Sequence, residues 1–361
     1  MERARPVEGE LTDVTGVARV DLRGDQPAGE LPEVARVAAE EALGGGQTHY
    51  VDVAGVGPLR AVLGDQLGRQ PSGVLVTAGV QEARFLAIQI LGDTRGPLAI
   101  PAVVHPGVRR VLGARGLRQI SMGCAANDGF LPTLSAIREA LKDGARLIYL
   151  ESPSRLAGAA YTAVQVAAIV EMLEEHGGMA IWDQGLQPWS YPARCPSVLD
   201  VDPGLGHAVV LGEAYSGVGL DGWFVGYLAS NEGTIATIET HKQIVSICTS
   251  TAAQFAAVGA AQVYPAVQRH QAQVMAETYE NALEAARARR FRLIDGHVSS
   301  LLAVSVGDTQ AVLARLDEEG IQVVDGAEYG APGVIRLATV DEPALLRAIA
   351  VLGAPAAGGA R

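Results

Sequence analysis

Apolar positions in the first two thirds of the chain follow two alternating patterns. Short apolar runs such as VLVTAG, ARLIYLES and MAIWD are bounded by Gly, Pro or Asp and are typical of buried strands. Between them, segments such as QEARFLAIQILG and AVQVAAIVEMLEEHG have an apolar residue every three to four positions, which is the spacing of amphipathic helices. Strands that alternate with helices predict an α/β fold with a doubly wound, mostly parallel sheet and a site at the carboxyl ends of its strands.

The last third of the chain has a different pattern. Helical spacing runs from Thr234 to about Arg290, and strand-like segments then alternate with helices, which predicts a smaller C-terminal α+β domain. We therefore predict three parts: an N-terminal segment that joins the small domain, a large α/β domain and the small domain, at residues 1–45, 46–255 and 256–361.

Composition narrows the possible partners. The 361 residues are 48% apolar and 19% charged, as in a globular protein with a substantial core. A net charge of −12 without a basic stripe argues against nucleic acid and against an anionic membrane surface. No apolar run reaches about eighteen residues and the N-terminus lacks a signal-like stretch, so we expect a cytoplasmic protein. The three cysteines are widely spaced, and no metal site is expected.

Seven short motifs occur in order along the chain: VDLRGDQP, THYVDVAGVGPLRAVL, VTAGVQEA, ESPSRLAGAAY, IWDQGLQPWSY, GEAYSGVGLDGWFVGY and GVIRLATV. Their order resembles that of class I/II aminotransferases of fold type I over nearly the whole chain. Each motif alone is weak, but seven in order are hard to obtain by chance. The resemblance implies the fold-type I architecture, pyridoxal phosphate (PLP) chemistry and a homodimer whose sites are shared across a two-fold axis.

The resemblance also implies roles for particular residues. Asp183, at the end of an apolar strand, takes the place of the acid that keeps the cofactor's pyridine nitrogen protonated. Gly79 and Val80 open the helix that receives the phosphate. Arg336 takes the place of the arginine that binds a substrate carboxylate, and Tyr50 that of the tyrosine that reaches the neighbouring subunit's site.

The aligned lysine position holds a different residue. GLDGWFVGY aligns without a gap and puts Ser216 where the family has its Schiff-base lysine, and serine cannot form an imine. The two lysines of the chain, Lys142 and Lys242, lie outside this loop. Phe224 replaces the phosphate-binding arginine, and Arg155 replaces the asparagine beside the cofactor's phenolic oxygen. We therefore expect no transamination.

Three functions stay open at this point. The first is PLP-independent acid/base chemistry, such as cyclisation, dehydration, isomerisation or hydrolysis, on a carboxylate-bearing small molecule in specialised metabolite biosynthesis, with no cofactor. The second is a PLP- or PMP-dependent enzyme that holds its cofactor noncovalently and uses His105 as base. The third is a non-catalytic binding protein or partner subunit.

The candidate residues divide by role. The catalytic candidates are the groups that the alignment brings toward one cleft: His105, Glu213, Tyr215, Ser216 and Asp183. The substrate-binding candidates are Arg336, Arg155, Tyr50 and Trp189. The cofactor contacts, if PLP is retained, are Gly79, Val80 and Asp183. Each also has a purely structural interpretation, such as a loop cap for Asp183 or a salt bridge for Arg336.

Overall fold

The computed structural model describes residues 19–113 and 116–353. Its strands are β1 Val20–Asp21, β2 Val74–Ala78, β3 Leu98–Pro101, β4 Gln119–Met122, β5 Leu147–Glu151, β6 Met179–Asp183, β7 Ala208–Glu213, β8 Val225–Ala229, β9 Arg292–Ile294, β10 Leu301–Ser305, β11 Ile321–Gln322, β12 Val324–Asp325 and β13 Val334–Ala338. Its α-helices are α1 Glu33–Gly44, α2 Gly57–Leu67, α3 Gly79–Arg95, α4 Pro106–Gly113, α5 Leu134–Lys142, α6 Ala163–Glu175, α7 Glu232–Val245, α8 Thr251–Ala261, α9 Tyr264–Ala288, α10 Thr309–Glu318 and α11 Glu342–Gly353.

The larger unit is a seven-stranded sheet in the order β2-β8-β7-β6-β5-β3-β4. Strands β3 to β7 pair in parallel, whereas β8 runs antiparallel to both β2 and β7. The predicted α/β class with a mostly parallel sheet is confirmed. The sequence pattern did not indicate β4, because this edge strand has exposed positions and lacks the continuous apolar run of the central strands.

Helices cover both faces of this sheet. Along β5, Ile148 and Leu150 belong to one core, which α1, α2, α5, α6 and α8 complete. Leu147 and Tyr149 point to the opposite core, which α3, α4 and α7 complete. Successive strand residues alternate between faces, so one apolar run supplies both cores, as expected for a doubly wound sheet.

The smaller unit is a four-stranded antiparallel sheet in the order β12-β13-β10-β9. A further core forms between it and helices α9, α10 and α11. The N-terminal strand β1 pairs in parallel with β11, so the start of the described chain lies beside this unit. Helix α1, in contrast, buries Ala35 and Ala39 in the core of the large sheet. The numerical domain limits stay a prediction, and residues 1–18 and 354–361 lie outside the described residues.

The topology brings several chain segments together at the carboxyl ends of the parallel strands. Glu151 and Asp183 end β5 and β6 as direct neighbours in the register. Helix α3 begins immediately after β2, at Gly79, whose φ of 70° suits glycine. None of the helices within the described residues is both long and apolar enough to cross a membrane.

Candidate functional site

A cavity of about 170 Å³ lies where α3, β7 and β8 meet. It is lined by the segments Ala78–Gln81 and Glu213–Ser216, together with Gln26, Leu220, Asp221, Phe224 and Val225. Among the residues predicted from the sequence, the structure brings five to this cavity: Gly79, Val80, Glu213, Tyr215 and Ser216. The turn after β7 therefore faces the start of α3, as the motif order predicts.

Two non-glycine residues beside this cavity have left-handed backbone conformations. Tyr215 has a φ of 57° and Phe224 a φ of 51°, a region that is uncommon for bulky residues. The Tyr215 ring is buried and packs edge-on against Tyr264, with centroids 5.1 Å apart. Phe224 lies against the start of α3, so that a side chain on Gly79 would meet its ring at 3.4 Å. Unusual backbone at a cavity wall is typical of functional sites.

The carboxylate of Asp183 is the centre of a buried ion cluster. Asp183 is 1% exposed, and its Oδ2 accepts from Arg84 Nη2 at 2.7 Å, Arg155 Nε at 3.1 Å and the Tyr149 hydroxyl at 3.2 Å. Its Oδ1 accepts from Arg155 Nη2 at 3.1 Å and Gly185 N at 3.0 Å. Burial alone would raise the pKa of Asp183, but Arg155 and Arg84 outweigh it and hold that pKa well below its usual range.

The N-terminal strap, which we define as Arg23–Gln26, crosses in front of this cluster. Arg155 Nη1 donates to Asp25 Oδ2 at 2.6 Å, so one guanidinium joins Asp25 to Asp183. Gln26 donates through Nε2 to Glu213, and burial raises the pKa of the Glu213 carboxyl. The strap therefore reaches both the ion cluster and the cavity wall.

Arg336 is 2% exposed and holds the same strap from the small sheet. Its Nη2 donates to the carbonyl oxygens of Arg23 and Gly24, and its Nη1 donates to Arg155 O at 2.8 Å and to the Tyr329 hydroxyl at 3.0 Å. Its Nε is buried without a hydrogen-bond partner. The sequence predicted an anionic partner here. Within residues 19–113 and 116–353, no carboxylate forms an ion pair with Arg336.

His105 lies behind the ion cluster and does not line the cavity. Its Nδ1 accepts from Gly107 N at 3.0 Å and lies 3.3 Å from Arg84 Nη1, while its ring packs edge-on against Tyr329. Burial, with the charges of Arg84 and Arg155, lowers the pKa of His105 to about 3. The imidazole is therefore neutral at neutral pH.

Two other predicted residues lie away from the cavity. Tyr50 is 84% exposed, on the loop between α1 and α2. Trp189 is fully buried in a small apolar cluster with Met275 and Leu301. Within one subunit, neither side chain reaches the cavity.

Both lysines lie within the described residues, and neither lines the cavity. Lys242 is buried in the last turn of α7, and its Nζ donates to Ser246 Oγ at 3.2 Å and to Ile247 O at 3.1 Å. Lys142 is exposed at the end of α5.

Sequence reasoning missed three members of the ion cluster: Arg84, Asp25 and Glu151. Arg84 is a charged residue within the buried face of α3, which is the signal that could have identified it. Glu151 ends β5 as Asp183 ends β6, so strand-end position could have paired these two carboxyls. Asp25 carried no local signal, because its partner Arg155 lies 130 positions away.

Pyridoxal phosphate, which the family resemblance implies, does not fit the site in the arrangement described. Its ring nitrogen would need a free oxygen of Asp183, whose carboxylate already accepts six hydrogen bonds from four residues. The start of α3 could hold a phosphate, but the cavity lining there contains Phe224 and the carboxyl groups of Glu213 and Asp221. Its lining residues include neither lysine nor arginine.

Comparisons with known proteins agree on one family. A family model described as Aminotransferase class I and II matches residues 12–352. The aspartate/prephenate aminotransferase of Thermus thermophilus is 26% identical over 364 residues, covering 94% of this chain and 92% of that protein. The aspartate aminotransferase of Thermotoga maritima is 24% identical over 328 residues, covering 88% of this chain and 86% of that protein.

Solved structures show the same architecture. A single mutant of the Thermus thermophilus aspartate aminotransferase has a TM-score of 0.86 at 22% identity, covering 94% of this chain and 92% of that one. The Thermotoga maritima aspartate aminotransferase has a TM-score of 0.85 at 22% identity, covering 93% of this chain and 91% of that one. At such identity the likeness establishes the fold alone, and the predicted fold-type I architecture is confirmed.

These findings contradict two expectations drawn from the sequence. The expectation of an enzyme that does not transaminate is wrong, because the matching family and the named relatives are aminotransferases. The expectation of no cofactor is also wrong, because the chemistry of that family depends on PLP. Both errors came from treating differences at a few aligned positions as decisive. The alternative of a noncovalently held cofactor is compatible with the comparisons.

The buried Glu151 carboxyl leads to a prediction of how the stability of the fold depends on pH. Burial and the neighbouring Asp183 raise its pKa to about 7, from an ordinary value of 4.5. A raised carboxyl pKa stabilises the fold below the ordinary pKa, and this stability is lost as the pH rises through about 7. Glu151→Gln keeps an acceptor for His105 N without the charge. Its stability relative to the wild type should therefore increase between pH 5 and pH 8, by up to roughly 3 kcal/mol.

The measurement is the free energy of unfolding in urea at both pH values. Glu171→Gln, at an exposed position of α6, is the matched control and should show no such change. An equal pH dependence in Glu151→Gln and the wild type would show that Glu151 does not titrate in this range.

Proposed function

Because the chain belongs to the class I and II aminotransferase family, we propose that it transfers an amino group to or from a carboxylate-bearing small molecule, with PLP or PMP held noncovalently. The observation that carries the proposal is the environment of Arg336. The names of the relatives, aspartate and aspartate/prephenate aminotransferase, supply the first substrates to test.

Arg336 has the features of a carboxylate-binding residue. A guanidinium that is 2% exposed normally requires a counter-charge, since a buried unpaired ion costs several kcal/mol. Its described hydrogen-bond partners are neutral oxygens, two of them strap carbonyls at Arg23 and Gly24, and it also lies over the Tyr329 ring and near enough to Asp25 to lower the pKa of that carboxyl. A ligand carboxylate offers the charge and the paired oxygens that these carbonyls lack. The strap carbonyls would give way to that stronger acceptor.

The proposal that the cofactor is held noncovalently rests on where the lysine amines of the chain lie. PLP supplies the electron sink for reactions at the α-carbon of an amino acid. Ser216 lines the cavity at the aligned lysine position and has no amine with which to bond to it. The Lys242 amine donates to Ser246 and to Ile247 O in α7 and its C-terminal turn. A cofactor held by this chain would therefore depend on noncovalent contacts, and the cavity lining offers hydrogen-bonding groups but no basic side chain.

We assign the base to His105. Burial with the charges of Arg84 and Arg155 lowers its pKa to about 3, so the imidazole is neutral at neutral pH but only weakly basic, and the role requires this pKa to rise when a ligand is bound. The Nδ1 atom accepts from Gly107 N, so it is the basic nitrogen of that tautomer. The Gly107 contact must open before Nδ1 can take a proton from a substrate.

The first test of the proposal is at Arg336. Arg336→Lys keeps the charge but loses the planar fork, so transfer from PMP to oxaloacetate or prephenate should fall by about 10- to 100-fold. Arg194→Lys, in an exposed pair with Asp200, is the matched control. Product amino acid is measured by chromatography under single-turnover conditions. If Arg336→Lys transfers at the wild-type rate, or if the wild type transfers nothing, the proposed role is excluded.

The second test concerns the missing covalent link. Protein incubated with PLP, reduced with borohydride and digested should yield no pyridoxyl-modified peptide, since neither lysine lines the cavity. Dialysis against buffer should remove the cofactor completely. Mass spectrometry that finds the modification on Lys242, with a matching loss in Lys242→Gln, would contradict the noncovalent assignment.

We also propose a homodimer in which Tyr50 contacts the neighbouring subunit's site. Tyr50 is 84% exposed in one subunit, although its ring is large and apolar. Light scattering at micromolar concentration should give twice the mass of one chain. Tyr50→Ser should keep the dimer but weaken cofactor binding, with Val164→Ser, at a position that is 79% exposed, as a surface control. A monomeric wild type would exclude Tyr50 from the site.

A further inference from the structure

We propose that the cavity between α3, β7 and β8 binds a small primary amine in its ammonium form, carried on a short apolar chain. The described residues that line it supply two carboxyl groups, two aromatic rings and several aliphatic side chains, and they include no lysine, arginine or histidine. The inference goes beyond the proposed function, because it concerns the charge of the ligand that this cavity accepts and not the transfer of an amino group.

The first argument is the charge of the cavity wall. Its two carboxyl groups belong to Glu213 and to the more exposed Asp221. Burial raises the pKa of both, and for Glu213 the charge of Arg155 opposes that rise only in part. The Arg155 guanidinium is already paired with Asp25 and Asp183. A cation bound in the cavity would therefore favour the ionised forms of both wall carboxyls.

The start of α3, which by itself favours an anion, is already compensated by the chain. The carboxylate of Glu82, in the first turn of this helix, accepts from Ala78 N and from the Ser246 hydroxyl. A negative side chain in the first turn offsets the partial positive charge of the helix start. The carboxyl groups of the wall therefore determine which sign of charge the cavity prefers.

The second argument is that two buried oxygen atoms on this wall lack donors within the described chain. Gln26 donates through Nε2 to Glu213, which fixes the orientation of its amide and leaves Oε1 as a free acceptor. Ser216 is 5% exposed, and its Oγ has no hydrogen bond of standard geometry, although it is close enough to the Tyr264 hydroxyl to reduce the rise in pKa that burial gives that group. An alkylammonium has three N–H donors and no acceptor. These two oxygens and the Glu213 carboxylate offer acceptors for such a group.

The third argument is the apolar part of the lining, which favours an organic cation over an inorganic ion. Val80, Leu220 and Val225 line the cavity together with Tyr215 and Phe224. Phe224 is 65% exposed, so a ligand would cover aromatic surface that otherwise faces water. Aromatic rings also attract cations over their faces. Among the described residues, no cluster of three or more His, Cys, Asp or Glu side chains could hold a metal ion.

The volume of the cavity limits the chain that carries the amine. The cavity measures about 170 Å³. A protein cavity of about 150 Å³ holds one benzene molecule, so ligands of roughly five or six non-hydrogen atoms fit. n-Butylamine falls in this range and is an ammonium ion at neutral pH. 1-Butanol and butyrate have similar chains with a neutral and an anionic head group, so the three compounds differ mainly in charge.

The test is equilibrium binding of these three compounds to the full chain at neutral pH, measured by ligand-observed NMR titration. We expect n-butylamine to bind with the millimolar affinity typical of so small a ligand. It should bind at least about tenfold more tightly than 1-butanol, because the alcohol lacks the charge and two of the three donors. Butyrate should not bind, since the carboxyl groups of the wall repel it. Potassium chloride should displace the amine only in large excess.

Variants assign the binding to this cavity. Glu213→Gln keeps the shape of the side chain without its charge, so it should weaken n-butylamine binding by about tenfold and leave 1-butanol binding unchanged. Asp221→Asn should act in the same direction by a smaller factor, and it keeps the test valid if Glu213→Gln does not fold, which thermal unfolding checks. Glu171→Gln, at an exposed position of α6, is the matched control and should bind as the wild type does. This control is needed because a net charge of −12 attracts cations to the whole surface.

Each outcome bears on the amine site. If 1-butanol or butyrate binds as tightly as n-butylamine, if the amine does not bind, or if the folded variants at Glu213 and Asp221 bind it as the wild type does, the site is excluded. Displacement of the amine by potassium at equal concentration would indicate an inorganic cation site and overturn the proposed ligand class. No turnover enters the measurement, so the amine site and the proposed function can each fail while the other stands.

Discussion

The paired contact of Arg84 and Arg155 with Asp183 is the interaction on which the rest of the site depends. All three side chains are at most 3% exposed, and an uncompensated charge at that depth would cost several kcal/mol. The pairing fixes the relative positions of α3, the end of β6 and the loop after β5. It also limits which further hydrogen-bond donors the Asp183 carboxylate can accept from. The same few hydrogen bonds therefore affect both the local structure and the ligands that could bind.

The charged groups around this contact do not form separate one-to-one ion pairs. The carboxyl groups of Asp25 and Asp183 contact the guanidinium of Arg155, Glu151 lies beside the backbone of Arg155, and Arg84 is a second cation. Asp183 takes the direct contacts of both arginines, whereas Glu151 accepts from backbone N–H groups of His105 and Arg155. This difference explains why two adjacent strand-end carboxyls have pKa values shifted in opposite directions.

Sequence patterns predicted the sheet and the segments that meet at the site, but not the ion pairs that cover Asp183. Periodicity and motif order predicted the sheet, and Gly79, Glu213 and Ser216 do meet at one cavity. Contacts between distant positions could not be predicted from local sequence, because the contact between Asp25 and Arg155 depends on how a terminal segment crosses the folded sheet. The prediction of function was wrong for another reason: differences at a few aligned positions, Ser216 above all, were weighed more heavily than a resemblance that covers nearly the whole chain.

The N-terminal strap connects the small unit to the ion cluster of the large unit. Its preceding strand β1 pairs with β11 beside the small sheet, and its carbonyls are held by Arg336 from β13. Its side chains, in contrast, contact Arg155 and Glu213 of the large unit. The small unit is therefore joined to Arg155 through the strap, whose Asp25 forms an ion pair with this arginine. Arg155 contacts Asp25 and Asp183 at the same time, so one guanidinium connects the strap to the carboxylate at the end of β6.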